Sequence, residues 1–330
     1  MGISPGFRDR LSGMTCAKRV LTEPADTWVY GYDNSRKHAP PDVVVFATSH
    51  REVQDIVRLC HEHGVPIVAR GRGTATTGAA IPVRGGVVLS LERMNRILRV
   101  DPANRVIVVE PGVTNQAVQE AVAAHGFFWP PDPTSAAYCT VGGNLAVNAA
   151  GPHAVKYGST RENTLGLRAV TGAGEDIHTG VYTTKGVVGY DLTRLLIGSE
   201  GTLAVITEAT LKLTPLPEAR RLMQAVYASV GQAAAAISRI MAQPATPCAL
   251  EFMDAAAIEM IRSYSQADLP QGAGALLMIE VDGPARALDD LATAIHTAAA
   301  GEGLISFLEA RTKEEADALW ATRKALSPAL

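Results

Sequence analysis

The chain has 330 residues, of which 47% are hydrophobic and 19% are charged, and its formal net charge is −3. This length exceeds what one hydrophobic core usually supports, so two domains are expected, and the composition excludes a disordered chain. Basic residues are scattered among acidic ones, which excludes the charge pattern of a nucleic-acid-binding protein. Because the N-terminus has no signal-peptide core and no apolar run approaches the roughly 18 residues of a membrane span, we expect a cytoplasmic protein.

The cysteines of the chain are Cys16, Cys60, Cys139 and Cys248, and no two of them form a CxxC pair. Zinc and iron–sulfur sites that are built from several cysteines need closely spaced ligands. We therefore predict small buried or free thiols and no metal site.

The first predicted elements alternate strand and helix. An apolar strand, VVVF, is followed by Ser49 and Glu52, the sequence signature of a capping box at a helix start. Apolar residues recur at helical spacing from Val53, and Gly64 predicts the end of this helix. The strands VPIVA, GVVLSL and RVIVVEPG and a helix over residues 114–125 follow. This order indicates an α+β or α/β fold.

A Gly/Thr-rich loop, RGRGTATTG, covers residues 70–78 directly after the strand VPIVA. Its small residues would let consecutive backbone N–H groups turn toward one anion, so the loop is a candidate phosphate nest. It is not a GxGxxG fingerprint, because Thr76 stands where the third glycine belongs, and no GK[ST] sequence follows. Taken alone, the loop is equally well explained as a surface turn.

A second candidate segment begins with PPDPT at residues 130–134, which the prolines exclude from regular helix or central strand. It continues as VGGNLAVNAAG over residues 141–151. Asn144 and Asn148 are four residues apart, so on a helical turn both amides could contact one ligand. The alternative for this pair is helix capping and packing.

A third glycine-rich segment, GYDLTRLLIGSEGTLAVITE, covers residues 189–208. Its glycines lie at a tight corner before an apolar strand, where the backbone could approach a flat ligand closely. An ordinary turn between a helix and a strand is the alternative.

The composition of the chain changes near Pro215 and Pro217, which predict a domain boundary. Beyond it, the strand-like runs LMQAVYA, ALEFM, ALLMIEVDG and LISFLEA alternate with Ala-rich helical segments. This alternation predicts a second layer of strands covered by helices. A last helix opens with a second capping box, formed by Thr312 and Glu315.

The strings PPDP, VGGN, KYG, GYDLTRLLIGSEGTL and ITEATLKL in this order resemble the flavin domain of the vanillyl-alcohol-oxidase/PCMH superfamily. The resemblance is to the branch of glycolate oxidase FAD subunits and D-lactate and D-2-hydroxyglutarate dehydrogenases, and it runs from about Thr22 to Leu330. It implies an α+β chain with a lead segment at 1–37, a PCMH-type two-subdomain FAD-binding domain at 38–218 and a ferredoxin-like cap at 219–330. Because the sequence ends before the histidine cluster of the family, the cap is expected to be incomplete.

The resemblance implies noncovalent FAD, since none of residues 70–80 is the histidine through which some relatives attach it. Backbone groups of residues 71–76 would hold the pyrophosphate, and Gly201 and Ile206 would lie near the adenine half. Where the family often has glycine, this chain has Arg72. The implied FAD contacts are Arg70, Gly71, Arg72, Gly73, Thr74, Ala75, Thr76, Gly78, Pro131, Asp132, Thr134, Thr140, Gly142, Gly143, Asn144, Asn148, Gly151, Gly201 and Ile206.

The chemistry implied by the resemblance is oxidation of a small 2-hydroxy acid, such as glycolate or D-lactate, to the 2-oxo acid with hydride transfer to the flavin. Arg323, in the W-x-x-R motif that starts at Trp320, would bind the substrate carboxylate, with the Ser327 hydroxyl one turn further on. A snorkelling arginine is the alternative. No catalytic base is identified, and His153 in its glycine-flanked loop is more often a structural or solvated residue.

Two further interpretations of the function stay open at this level. A noncatalytic or accessory flavin-binding subunit of a glycolate-oxidase-like complex is the main alternative. A nicotinamide-dependent reductase is less favoured because no dinucleotide fingerprint occurs. The resemblance also implies an iron–sulfur electron-acceptor subunit as a partner, and a homodimer is a further expectation.

Overall fold

The computed structural model describes residues 3–264 and 269–324. The chain forms two compact units, the first built from residues 1–151 and 158–216, the second from residues 152–157 and 217–330. No helix in the described part is both long and apolar enough to cross a lipid bilayer.

The first unit contains two main sheets and the helices that pack on them. Its strands are β1 (Val20–Leu21), β2 (Val43–Phe46), β3 (Ile67–Arg70), β4 (Val87–Ser90), β5 (Ile97–Asp101), β6 (Val106–Val109), β7 (Phe127–Phe128), β8 (Thr164–Thr171), β9 (Asp176–Gly180), β10 (Ala204–Lys212) and β11 (Thr214–Pro215). The helices up to residue 196 are α1 (Pro5–Met14), α2 (Pro24–Thr27), α3 (His50–His63), α4 (Asn115–Ala123), α5 (Val141–Ala146), α6 (Ala154–Tyr157), which belongs to the second unit, and α7 (Leu192–Leu196).

The first sheet has the strand order β1-β2-β4-β3, with β2, β3 and β4 parallel and β1 antiparallel at one edge. Each residue of β2 and β4 is buried, as expected for parallel strands that are covered on both faces. Helix α3 connects β2 to β3, and its predicted apolar stripe, which includes Val53 and Ile56, is buried.

The ends of α3 confirm the sequence prediction. The Ser49 hydroxyl accepts a hydrogen bond from the Glu52 N–H at 3.3 Å, and Gly64 ends the helix in the left-handed region with a φ of 62°. The returning half of the predicted capping box differs, because the Glu52 carboxylate accepts from the N–H of Thr48 at 2.8 Å. The Glu52 carboxylate also forms an ion pair with Arg19. The Glu52 side chain therefore reaches past Ser49 to the residue before it, Thr48.

The second sheet is antiparallel with the order β5-β6-β10-β8-β9. A register shift interrupts the pairing of β10 with β8 between Ile206 and Glu208. Its core contains Trp129, which is fully buried and donates its indole N–H to the Asn163 carbonyl at 3.0 Å.

A shared hydrophobic core joins the two sheets into a two-subdomain unit. Val170 of β8 and Val205 of β10 pack in the same cluster as Ile56 and Val57 of α3. This packing fixes the loop that follows β3 and the beginning of β10 within one unit, where both line the same cavity.

The second unit is built around one antiparallel sheet. After α6, its elements are β12 (Ala219–Tyr227), α8 (Val230–Ala242), β13 (Ala249–Asp254), α9 (Ala255–Tyr264), β14 (Ala275–Gly283), α10 (Leu288–Ala299), β15 (Leu304–Glu309) and α11 (Lys313–Lys324). The strand order is β13-β14-β12-β15, which is the ferredoxin-like arrangement with α9 inserted between the second and third strands. The predicted α+β fold and ferredoxin-like second domain are therefore confirmed.

Helices cover both faces of this sheet because β12 alternates its side chains. Met223 and Ala225 pack against α8 and α10, whereas Leu222 and Val226 pack with α9 on the opposite face. The four predicted strands and the capping box at Thr312 are all present, and the Thr312 hydroxyl accepts from the Glu315 N–H at 3.2 Å.

Candidate functional site

A cavity of about 460 Å³ opens in the first unit, within the size range of small-molecule and cofactor pockets. Three segments contribute most of its lining, and they correspond to the three glycine-rich strings of the sequence. They are residues 69–80, except Gly78, residues 140–150, except Val141 and Leu145, and residues 199–206, except Thr202 and Leu203. Leu91, Pro111, Pro133 and Ser135 complete it.

The loop after β3 presents unpaired backbone donors to this cavity. In the part of the chain that the structure describes, the N–H groups of residues 72–77 have no hydrogen-bond acceptor. The loop is held at its far end, where the Gly78 N–H donates to the buried Asp33 carboxylate at 2.9 Å, and Asn34 donates its N–H to the Ala75 carbonyl. A fixed loop with several free N–H groups can bind an anionic oxygen without reorganisation.

Arg70, at the end of β3, places a buried positive charge beside these donors. The residue is 6% exposed, and its guanidinium donates to the Tyr32 carbonyl at 2.7 Å and to the Val29 carbonyl at 3.4 Å. Burial lowers the pKa of this guanidinium, but an arginine side chain stays charged in proteins. Among the described residues no carboxylate lies within ion-pair distance of Arg70, and the attraction of the buried Asp33 only partly offsets the lowering of its pKa by burial, so its charge favours an anion in the cavity.

Glycines at the cavity wall allow backbone contacts that no side chain would permit. A Cβ atom at Gly71 would collide with the Thr140 hydroxyl, and one at Gly142 would lie 2.6 Å from Pro111 Cβ and 3.0 Å from its carbonyl oxygen. Thr140 is the N-cap of α5 and accepts from the Gly143 N–H at 3.3 Å. The phosphate-nest loop and the start of α5 are therefore packed directly against each other.

The two asparagines of the second segment do not share the helical turn that their spacing suggests. Helix α5 ends at Ala146, and Asn148 lies in the left-handed region with a φ of 50°. The Asn148 amide oxygen accepts from the Ser159 hydroxyl and the Arg161 N–H, and the Asn144 oxygen accepts from other buried side chains. Both residues line the cavity, but their oxygens are used within the protein, so only their NH2 groups are left as donors.

The cavity brings together fourteen of the predicted FAD contacts, which are Arg70, Gly71, Arg72, Gly73, Thr74, Ala75, Thr76, Thr140, Gly142, Gly143, Asn144, Asn148, Gly201 and Ile206. The other five lie outside its lining: Gly78, Pro131, Asp132, Thr134 and Gly151. Gly151 packs against Asp132, and the Pro131 carbonyl accepts from the Asn115 amide at 2.9 Å. Their neighbours Pro133 and Ala150 line the cavity in their place.

Several lining residues were not predicted from the sequence. Leu91 and Pro111 follow β4 and β6, and tertiary packing alone brings them to the cavity. Glu200 could have been found from the sequence, because it lies in the glycine-flanked string GSEG at a tight corner. Its backbone is in the left-handed region there, with a φ of 54°. Together with the free N–H groups, the buried cation and the close backbone approach, these residues fit a cofactor that carries phosphate groups and a flat ring.

The predicted substrate residues belong to the second unit. The Arg323 Nε donates to the Glu251 carboxylate at 2.7 Å, and the two side chains are 27% and 22% exposed. The Arg323 side chain is mostly buried, and a buried charge needs a partner, which Glu251 supplies. Ser327 lies outside the described residues.

Comparison with known proteins identifies both units. Residues 41–180 match a family described as "FAD binding domain", and residues 216–330 match one described as "FAD linked oxidases, C-terminal domain". The glycolate oxidase subunit GlcD of Bacillus subtilis (strain 168) is 40% identical over 329 residues, which cover 99% of this chain and 70% of that protein. A D-lactate dehydrogenase of Anaerostipes hadrus is 35% identical over 299 residues, and the match spans 88% of this chain but only 63% of the relative.

The fold also has solved counterparts. The crystal structure of p-cresol methylhydroxylase with substrate bound has a TM-score of 0.80 and 18% sequence identity, and the match covers 98% of this chain and 72% of that one. At this identity the similarity concerns the fold alone. It agrees with a PCMH-type FAD-binding domain followed by a second α+β domain.

Proposed function

Because the chain belongs to the family of FAD-linked oxidases and contains both its FAD-binding and its C-terminal domain, we propose that it oxidises a small 2-hydroxy acid to the 2-oxo acid. FAD is its cofactor, and bound FAD supplies the capacity to accept a hydride. The names of the relatives, a glycolate oxidase subunit and a D-lactate dehydrogenase, support a substrate of this class.

The observation that carries the proposal is the cavity of the first unit. The unpaired N–H groups of residues 72–77 and the Arg70 charge would hold the pyrophosphate, since together they offer several backbone donors and a buried positive charge. The NH2 groups of Asn144 and Asn148 would donate to polar atoms of the bound cofactor. We further propose noncovalent binding, because the described residues that line the cavity include no histidine, cysteine or tyrosine.

The direct test is anaerobic reduction of the bound flavin in a stopped-flow spectrometer. We expect glycolate, D-lactate or D-2-hydroxyglutarate to bleach the flavin absorbance at a rate that saturates with substrate, and NADPH to leave it unchanged. L-lactate at the same concentrations is the control for nonspecific reduction. Full occupancy with FAD and no bleaching by any 2-hydroxy acid would contradict the proposed activity.

Arg323 is proposed to bind the carboxylate of the substrate. Its Nε is engaged by Glu251, but within the described residues its Nη groups have no acceptor, so they leave a fork that suits a carboxylate. We expect Arg323→Ala to raise the KM for the 2-hydroxy acid at least about tenfold, or roughly 1.4 kcal/mol, with a smaller change in kcat. The control is Arg311→Ala, which removes an exposed arginine just before the same helix. An unchanged KM in Arg323→Ala would refute the assignment.

The ion pair between Arg323 and Glu251 also favours the second candidate, a noncatalytic or accessory flavin-binding subunit. A guanidinium held by a protein carboxylate is less available to a substrate carboxylate than an unpaired one. The name of the Bacillus relative, a glycolate oxidase subunit, supports an assembly with other chains, and an iron–sulfur protein would be a suitable electron acceptor. FAD binding without reduction by hydroxy acids is the result that this candidate predicts.

A further inference from the structure

Three potential metal ligands converge in the second unit. His153 precedes α6, Cys248 precedes β13 and Glu280 lies on β14, and their ligand atoms are all within 4.8 Å of one another. The Nε2 atom of His153 is 3.4 Å from Glu280 Oε1, and the Sγ atom of Cys248 is 3.5 Å from the same oxygen. We call this group the HCE cluster.

The two distances to Glu280 Oε1 match those between ligands of one ion. Metal–ligand bonds of about 2.0–2.3 Å at tetrahedral angles separate nitrogen, sulfur and oxygen ligands by about 3.3–3.6 Å. A direct hydrogen bond between a histidine and a carboxylate is usually about 2.7–3.0 Å, so the separation of His153 from Glu280 is long for a direct bond. It is close to the separation of two ligands of one tetrahedral ion.

The backbone of the second unit fixes the positions of these ligands. The N–H of Cys248 donates to the carbonyl of Glu280 at 2.7 Å, which places the cysteine beside the strand that carries the carboxylate. Helix α6 is tied to the same strand, because Lys156 and Tyr157 both bind the fully buried Asp282 carboxylate. His153 is thereby held over the sheet at the start of its short helix.

A further contact orients the carboxylate. The indole N–H of Trp320 donates to Glu280 Oε2 at 3.1 Å, so Oε1 is the atom that faces His153 and Cys248. Outer hydrogen bonds of this kind direct the ligating oxygen of many metal sites.

We propose that the HCE cluster is a binding site for a divalent transition-metal ion of the zinc type, coordinated by His153 Nε2, Cys248 Sγ and Glu280 Oε1. A set of one imidazole, one thiolate and one carboxylate suits Zn²⁺ better than Mg²⁺ or Ca²⁺, which prefer oxygen ligands. Three protein ligands leave the fourth tetrahedral position for water or a small anion. This proposal does not depend on the proposed oxidation of hydroxy acids.

The charge balance is consistent with such an ion. The Arg220 guanidinium is 40% exposed and lies 3.5 Å from both Glu280 Oε1 and His153 Nε2. Zn²⁺ with a thiolate, a carboxylate and a neutral imidazole forms a neutral centre, so this guanidinium would not be repelled by a net positive charge. Burial raises the pKa of the Cys248 thiol to about 11, so without an ion it stays protonated at neutral pH. Metal binding replaces this proton, which is released to solvent.

The test uses the full chain with its flavin, freed of metal by dialysis against a chelator and then titrated with Co²⁺ and Zn²⁺. We expect about one equivalent of Co²⁺ to bind and to give the near-ultraviolet absorption of a thiolate–cobalt bond together with the intense visible bands of tetrahedral cobalt. Zn²⁺ should displace the cobalt and raise the Tm of the metal-free chain. Absence of the thiolate absorption would overturn the proposal even if some metal binds elsewhere.

The variant Cys248→Ser identifies the ligand. We expect it to lose the thiolate absorption and to bind Zn²⁺ more than about 100-fold more weakly, beyond the usual effect of losing an outer partner. Cys16→Ser and Cys60→Ser make the same change at an exposed and at a buried cysteine of the first unit, and both should keep wild-type binding. Undiminished absorption in Cys248→Ser would refute the site, and if this variant does not fold, the wild-type cobalt spectrum decides alone.

Discussion

We expect the Gly142→Ala variant to lose at least about 90% of its affinity for FAD, a change of about 1.4 kcal/mol or more. The added Cβ would lie 2.6 Å from Pro111 Cβ and 3.0 Å from the Pro111 carbonyl oxygen, and neither proline atom can move without its backbone. The Gly142 N–H donates to that same carbonyl at 2.8 Å, so separation of the two segments also weakens a hydrogen bond. Because Pro111 and Gly142 both line the cavity, its wall changes shape.

The measurement is fluorescence titration of the flavin-free chain with FAD. Gly231→Ala is the matched control, since a Cβ at this glycine of α8 meets nothing within 4 Å and alanine is the better helix former. It should bind FAD as the wild type does and be equally or more stable. Wild-type affinity in Gly142→Ala would show that the contact with Pro111 does not shape the cofactor site.

Trp129→Ala should cause the largest loss of stability, about 3–5 kcal/mol in the free energy of unfolding of the first unit. The indole is fully buried in the core of the second sheet, and the substitution removes its packing and its hydrogen bond to the Asn163 carbonyl. This carbonyl keeps a second donor, the Lys212 N–H at 3.0 Å, so the cost comes mainly from the cavity that alanine leaves. The Tm should fall by roughly 10 °C.

Release of bound FAD during heating reports on the first unit, while circular dichroism follows both units. Trp28→Ala is the matched control, because this tryptophan is 58% exposed and should cost less than about 1 kcal/mol. Trp129→Phe should fall between the two, since it keeps an aromatic ring and loses the indole N–H. Equal melting of the two alanine variants would contradict the role assigned to Trp129.

Features that depend on a few neighbouring residues could be predicted from the sequence. The capping residues Ser49 and Thr312 start helices where their side chains suggested, and Gly64 ends α3 in the left-handed region. The helix predicted over residues 114–125 is Asn115–Ala123, two residues shorter at its end than the pattern indicated. The four apolar runs after Pro217 are the four strands of one sheet.

The details of the cavity could not be predicted in the same way. Asn144 and Asn148 have the spacing of a helical pair, yet helix α5 ends between them. Asn148 adopts a left-handed backbone instead, and its side-chain oxygen accepts hydrogen bonds from Ser159 and Arg161. No local pattern reveals that competition, since it depends on a segment more than ten residues further along the chain.

By itself, the sequence determined the helix caps, the apolar runs and the location of the glycines, because glycine-rich turns and hydrophobic periodicity are local properties of the chain. The fold and the flavin loop were predicted from the resemblance of its motifs to the vanillyl-alcohol-oxidase/PCMH superfamily. Only the tertiary structure decided that Leu91 and Pro111 line the cavity and that Arg323 is paired with Glu251. It alone also decided that His153 and Cys248, which are 127 and 32 residues from Glu280, meet at one carboxylate oxygen. Such contacts arise when strands and helices pack, and no spacing along the chain encodes them.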